Sequence, residues 1–193
     1  MTAVLATRFK ELREGRRWSL REAADKTGVS KSMLSKIERG LTSPTATVLG
    51  KLAEGFGISI SQLVGGEQSN GDVVRVPYGE QPVFLVPTTG FERRSLSPLS
   101  IQNSGVDFVV NILPPAQSSG TFPPHRAGVE ETLAVASGRL RLRLGEEKYD
   151  LKAGDAIFYR AHVPHRFDNP SDTEPAVFFI VINNVGGADL NPR

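Results

Sequence analysis

Residue usage changes abruptly near position 66, and that break constrains the fold more than any other feature of the chain. Of 13 prolines only Pro44 precedes it. There the apolar residues recur at three- and four-residue intervals, the spacing of amphipathic helices. Beyond it, proline and glycine punctuate short runs rich in β-branched and aromatic residues, the pattern of an antiparallel sandwich or barrel. Between the two, Gly65-Gly66-Glu67-Gln68-Ser69-Asn70-Gly71 is polar and glycine-containing and reads as a linker. A length of 193 residues suits two small domains. The expectation is an all-α five-helix domain over 1–65, a linker over 66–72, and an antiparallel β domain over 73–193.

Charge divides at the same place. Residues 1–66 hold 11 Lys/Arg against 6 Asp/Glu, and residues 67–193 hold 12 against 15. A basic first half tied to a mildly acidic second half points to a polyanion as partner of the first alone. The chain has no cysteine, which excludes disulfides and cysteine-ligated zinc. No apolar run approaches the roughly 18 residues of a membrane span. Met1 leads into a mixed, amphipathic segment rather than a signal peptide, so the expected location is the cytoplasm.

In the first half, Leu5, Phe9 and Leu12 form one helical stripe. Ser19-Leu20-Arg21-Glu22 is a capping box that opens a second helix, which Gly28 ends. Ser30 caps a third helix running to Arg39 and Gly40. Ser43-Pro44 is expected to start a fourth, with Val48, Leu49, Leu52 and Phe56 on its core face, and Ser59 to cap a fifth carrying Leu63. The second half suggests strands at 73–77, 83–87, 91–96, 106–113, 131–136, 139–144, 147–151, 155–159, 164–168 and 175–182. The strict alternation of Arg139-Leu140-Arg141-Leu142-Arg143-Leu144 is the clearest.

Two capped helices separated by Gly28-Val29-Ser30 form a helix-turn-helix. On the third helix, Val29, Met33, Leu34 and Ile37 fall on one arc and Lys31, Ser32, Ser35, Lys36 and Arg39 on the other, with Glu38 at the edge. Small serines allow close approach to a major groove, and the lysines reach guanine edges or phosphates. The sequences Trp18-Ser19-Leu20-Arg21-Glu22-Ala23-Ala24 and Gly28 to Gly40 resemble the Xre/phage-repressor family of helix-turn-helix regulators. Ser43-Pro44 and Gly57-Ile58-Ser59 extend the resemblance. It implies an all-α domain that binds palindromic double-stranded DNA as a homodimer. It also implies base contacts from Lys31, Ser32 and Lys36 and backbone contacts from Ser19, Arg21, Ser30 and Ser43.

All three histidines, His125, His162 and His165, lie in the second half. The segments His125 to Gly138 and Gly154 to Asn169 resemble the two cupin motifs. The resemblance implies a small antiparallel β-barrel, or jelly roll, with a mouth lined by those residues. The family pattern carries His-x-His and a Glu in its first motif, but Ala127 stands at the second histidine. His125, Glu131 and His165 remain. Two imidazoles and a carboxylate can hold iron(II) as a facial triad. The other reading makes them hydrogen-bonded pocket residues with no metal and no other cofactor. By alternation Leu133 and Val135 share a face with Glu131, and Phe167 with His165, so these residues are expected to wall an effector pocket. A mouth of this kind suits a small polar ligand, such as one carrying an amine. His162 falls at no motif position and is expected on a surface turn.

The combined reading is a cytoplasmic, non-enzymatic transcription regulator, a repressor by family analogy, whose cupin half binds a small-molecule effector. Two alternatives stand beside it: a metal-dependent cupin enzyme with an attached DNA-binding domain, and a cupin used only for dimerisation.

Overall fold

The structure, a computed structural model, describes residues 2–65, 73–98 and 105–184. The expected linker over 66–72 lies outside the described residues, as does the end of the β half beyond 184.

The first half is five helices: α1 (Thr2–Gly15), α2 (Leu20–Thr27), α3 (Lys31–Glu38), α4 (Ala46–Phe56) and α5 (Ile60–Val64). Their apolar stripes converge on a core in which Phe9, Leu34, Ile37, Leu49, Leu52 and Phe56 are almost free of solvent. Phe9 meets Phe56 edge to face at 5.8 Å, and Trp18 lies against the other side of Phe56 at 5.1 Å. The fourth helix starts later than the sequence suggests. Its N-cap is Thr45, whose hydroxyl accepts from the Val48 amide, and not Ser43. Pro44 disfavours helical backbone in the residue before it, so Ser43 stays outside the helix while Pro44 itself is buried.

Among the described residues the second half holds ten strands in two antiparallel sheets. One has the order β1 (Val83–Leu85), β2 (Glu92–Ser95), β3 (Val106–Leu113), β10 (Ala176–Asn183), β5 (Glu130–Ser137), β8 (Ala156–Arg160). The other has the order β4 (Ser118–Phe122), β9 (His165–Asp168), β6 (Arg139–Leu144), β7 (Glu147–Lys152). This is a cupin-type jelly roll of two sheets rather than a barrel closed by one continuous ladder. Alternation buries Leu133, Val135, Leu140, Leu142, Phe167, Phe178 and Ile180 between them.

Two expectations need correction. Residues 73–77 are not a strand; they lead into a single 3-10 turn at Tyr78–Glu80. Val73 is 93% exposed, so no apolar face drives this segment into a sheet. The sequence also gave no warning of β4. Its first three residues, Ser-Ser-Gly, have little β preference of their own, and pairing with β9 places the strand.

The halves are in contact. Helix α4 packs on β4, and α5 approaches β1. The Thr47 hydroxyl donates to the carbonyl of Thr121 at 2.7 Å. A Cβ on Gly50 would come within 2.6 Å of Pro123 Cδ, so only glycine lets α4 approach this closely.

Candidate DNA-binding face and ligand cavity

The helix-turn-helix is held by local chemistry. Ser19 and Glu22 close a reciprocal capping box at the start of α2. Gly28 ends α2 in the left-handed region at φ 64°, which redirects the chain into α3 without a Cβ penalty. The Ser30 hydroxyl then accepts from the Met33 amide and caps α3. Leu34 and Ile37 anchor α3 to the core, which turns its opposite side outward.

Ser19, Arg21, Ser30, Lys31, Ser32, Lys36 and Arg39 are all exposed there, while Ser35 and Ser43 are half-buried. Arg39 is partly turned back on its own helix, its Nε donating to the Ser35 carbonyl at 3.2 Å. Glu38, an acid at the edge of this face, is gripped by the Arg13 guanidinium at 2.9 and 2.7 Å. Arg13 also donates to the Trp18 carbonyl at 2.8 Å, and the ion pair raises its pKa further. The pair ties α1 to α3 and neutralises Glu38, so the outward side of α3 is left basic.

The second feature is a cavity of about 430 Å³ between the two halves. The cupin half contributes Arg93, Asp107, Phe122, His125 and His165, and the helical half contributes Gly50, Ala53 and the segment Gly57–Ile60. Asp107 lies at the seam: its carboxylate accepts from Ser95 on β2, and the nearby hydroxyls of Ser59 and Ser61 at α5 favour its ionised form.

The histidine–glutamate cluster forms one side of the cavity, with His125 and His165 in its wall and Glu131 behind them. His125 Nε2 is 3.1 Å and His165 Nε2 3.8 Å from Glu131 Oε1. Glu131 Oε2 accepts from the Tyr159 hydroxyl. The imidazoles are stacked at 5.3 Å, and Phe122 stacks on the far side of His165 at 5.5 Å. Burial resists ionisation of Glu131, but the imidazoles of His165 and His125 and the Tyr159 hydroxyl outweigh it and hold the carboxyl at about 2. Burial, opposed by Glu131, lowers the pKa of His165. Burial and then the neighbouring carboxylate push the Tyr159 hydroxyl well up.

The donor atoms of His125, Glu131 and His165 lie within 4.8 Å of one another, so these are the residues that could hold a divalent ion. They do not fit the four-ligand centre of the cupin resemblance. Ala127 is exposed and offers no donor, and both oxygens of Glu131 already have partners.

Of the expected pocket residues, His125 and His165 line the cavity and Glu131 lies behind them, 2% exposed. Leu133, Val135 and Phe167 sit in the packed interior and are absent from its lining. His162 is exposed. Arg126 lines the cavity and donates to Asn184 at 3.0 Å; Arg160 is exposed and reaches Glu130. Sequence reasoning missed Arg93, Asp107 and Tyr159. A signal for Arg93 existed, because Phe91, Arg93 and Ser95 alternate onto one face and Phe91 is plainly apolar.

A helix-turn-helix with an outward basic side, joined to a jelly roll that shares a cavity with it, defines a two-domain DNA-binding regulator with a cupin sensing domain. Comparison with known proteins agrees. A helix-turn-helix family model (HTH_3) matches residues 9–63, and a cupin-domain model (Cupin_2) matches residues 110–182. The HTH-type transcriptional regulator SutR of Escherichia coli is 36% identical over 165 residues, covering 86% of each chain. The HTH-type transcriptional regulator PuuR of the same organism is 26% identical, covering 85% of this chain and 86% of its own. A solved HTH_3-family transcriptional regulator from Vibrio cholerae superposes with a TM-score of 0.74 at 28% identity, covering 94% of this chain and 96% of its own. The chain belongs to the HTH-type transcriptional regulators. Among the described residues, no helix is long and apolar enough to cross a membrane.

Proposed function

We propose that the protein is a repressor that binds a palindromic operator as a two-fold dimer and that a small molecule in the interdomain cavity controls this binding. The domains are residues 1–65, reading DNA, and 73–193, sensing and dimerising. Lys31, Ser32 and Lys36 contact bases, while Ser19, Arg21, Ser30 and Ser43 fix the backbone; Ser35 allows close approach, and Arg39 borders the groove. The observation that carries the regulatory reading is that α4 and α5 of the helical half wall the same cavity as His125 and His165. A ligand there touches both domains, so it favours one arrangement of them, and its coupling to DNA is reciprocal. The cavity's size is that of a small-molecule site.

A dimer is supported by the outer face of the six-stranded sheet. Phe108, Val181, Thr132 and Phe158 lie directly across from one another on β3, β10, β5 and β8. The three apolar members are 37%, 38% and 57% exposed, which makes a surface suited to a second copy. The cluster of His125, Glu131, His165 and Tyr159 acts as a hydrogen-bonded wall of the cavity, and no catalytic step is assigned to it.

The reading is tested by selecting bound sequences from random DNA and footprinting the winners. The expected result is an inverted repeat whose half-sites lie one helical turn, roughly 10–10.5 bp, apart, protected by a dimer. A single unrepeated half-site, or no sequence preference, overturns it.

A further inference from the structure

We propose that the interdomain cavity carries a carboxylate seat built on Arg93, and that the effector is a small organic acid. The inference rests on the sensing role given to this cavity above. Arg93 is 6% exposed, lies on the inward side of β2 and lines the cavity. Among the described residues its Nε has no hydrogen-bond partner and the side chain closes no ion pair. Opposite it on β3, Asn111 is fully buried, and its amide nitrogen and oxygen are likewise without partners. A buried guanidinium that lacks a counter-ion is costly, and bringing an anion to it recovers that cost.

Among the described residues, the two acids nearest the cavity do not pair with Arg93. Glu131 is committed to His125, His165 and Tyr159. Asp107 is turned to the serines at the seam and to Ser95, and one of its oxygens is buried without a partner. Burial pushes the Asp107 carboxyl up although the charge of Arg93 opposes this, and Asp107 closes no ion pair with Arg93. Among the described residues the guanidinium that lines the cavity is thus left without a salt-bridged or hydrogen-bonded partner at Nε. A guanidinium presents a planar fork of N–H donors that matches the two oxygens of a carboxylate.

The rest of the cavity selects an organic body. Phe122, Val129, Ile60 and Ile182 supply apolar wall around the polar centre, and the volume is several times what a bare inorganic anion fills. With its carboxylate on Arg93, such a ligand lies beside the Asp107–Ser59–Ser61 seam, and its tail lies against α5. Occupancy is thereby communicated to the helical half.

The test is isothermal titration of the full chain with sodium acetate, butyrate and sulfate, with ionic strength held by sodium chloride. Butyrate is expected to bind saturably, one per chain, and about tenfold tighter than acetate, because two more methylenes are buried. Arg93→Lys keeps the charge but loses the fork, and should weaken butyrate by about tenfold or more. Asp107→Asn removes the competing carboxylate and should tighten it, an effect that an arginine with only a structural role would not give. No saturable binding in the wild type overturns the proposal. So does an unchanged affinity in Arg93→Lys, or a weakened one in Asp107→Asn. Sulfate binding as tightly as butyrate also overturns it, since the seat would then be one for inorganic oxyanions. Operator binding is measured separately on unliganded protein. A chain that takes butyrate through Arg93 but prefers no DNA sequence retains the seat and loses the regulator reading.

Discussion

Thr47 on α4 donates its hydroxyl to the backbone carbonyl of Thr121 on β4, 74 residues away in sequence, at 2.7 Å. This bond lies in the seam where the DNA-binding half meets the sensing half. One turn further along α4, Gly50 faces Pro123, where a Cβ would come within 2.6 Å of the ring.

That contact makes Gly50→Ala informative. In an isolated helix the change would favour α4 by about 1 kcal/mol. In the full chain the overlap with a stiff proline ring should dominate and leave a net loss of about 1–3 kcal/mol. Thermal unfolding of the full chain checks the sign. A more stable variant would mean that the seam is not kept in solution.

On the DNA face, Lys36→Ala and Ser32→Ala should change which bases are preferred, with about 1–3 kcal/mol of discrimination lost at the affected position. Arg21→Ala should weaken all sequences alike and flatten the salt dependence by about one unit of slope. Binding to a panel of single-base operator variants at several salt concentrations separates the two patterns. An unaltered base preference in Lys36→Ala would misplace the recognition face.

Phe158→Asp puts a charge on the most exposed member of the apolar row, at its end on the edge strand β8 of the six-stranded sheet. Because Phe158 is 57% exposed in the single chain, the fold should tolerate the change. Sedimentation analysis should then find a monomer, and operator affinity should fall by tenfold or more because one recognition helix buries too little surface. A dimer that survives the substitution would locate the two-fold contact elsewhere.

Acid should lower the protein's stability in two windows of pH. His165 has a folded-state pKa below its ordinary 6.5, so the stability this confers is complete above that pH and declines as pH falls below it. Glu131 is depressed from 4.5 to about 2, so its contribution is complete above 4.5 and is lost as pH falls towards 2. The second contribution amounts to about 3 kcal/mol. Urea denaturation followed by circular dichroism between pH 2 and 8 should show both declines. Glu131→Gln should lose about that much less stability between 4.5 and 2; a parallel profile would mean that Glu131 is not anionic in the folded protein.

Local signals made the helical half legible. The capping box at Ser19, the left-handed Gly28 and the cap at Ser30 act within a few residues of themselves, so the sequence alone determined the helix-turn-helix and the outward side of α3. Alternation likewise determined the inward residues of the clear strands, and the spacing of His125, Glu131 and His165 marked the polar end of the jelly roll. Tertiary structure decided what depends on residues far apart in the chain. Strand β4 exists because β9 offers it a ladder. Glu38 is silenced by Arg13, and Glu131 by Tyr159, 28 residues on. The cavity itself is made by two halves whose approach Gly50 and Pro123 permit. Among the described residues Arg93 closes no ion pair there, and only the packing of residues far apart in sequence decides whether such a charge is compensated.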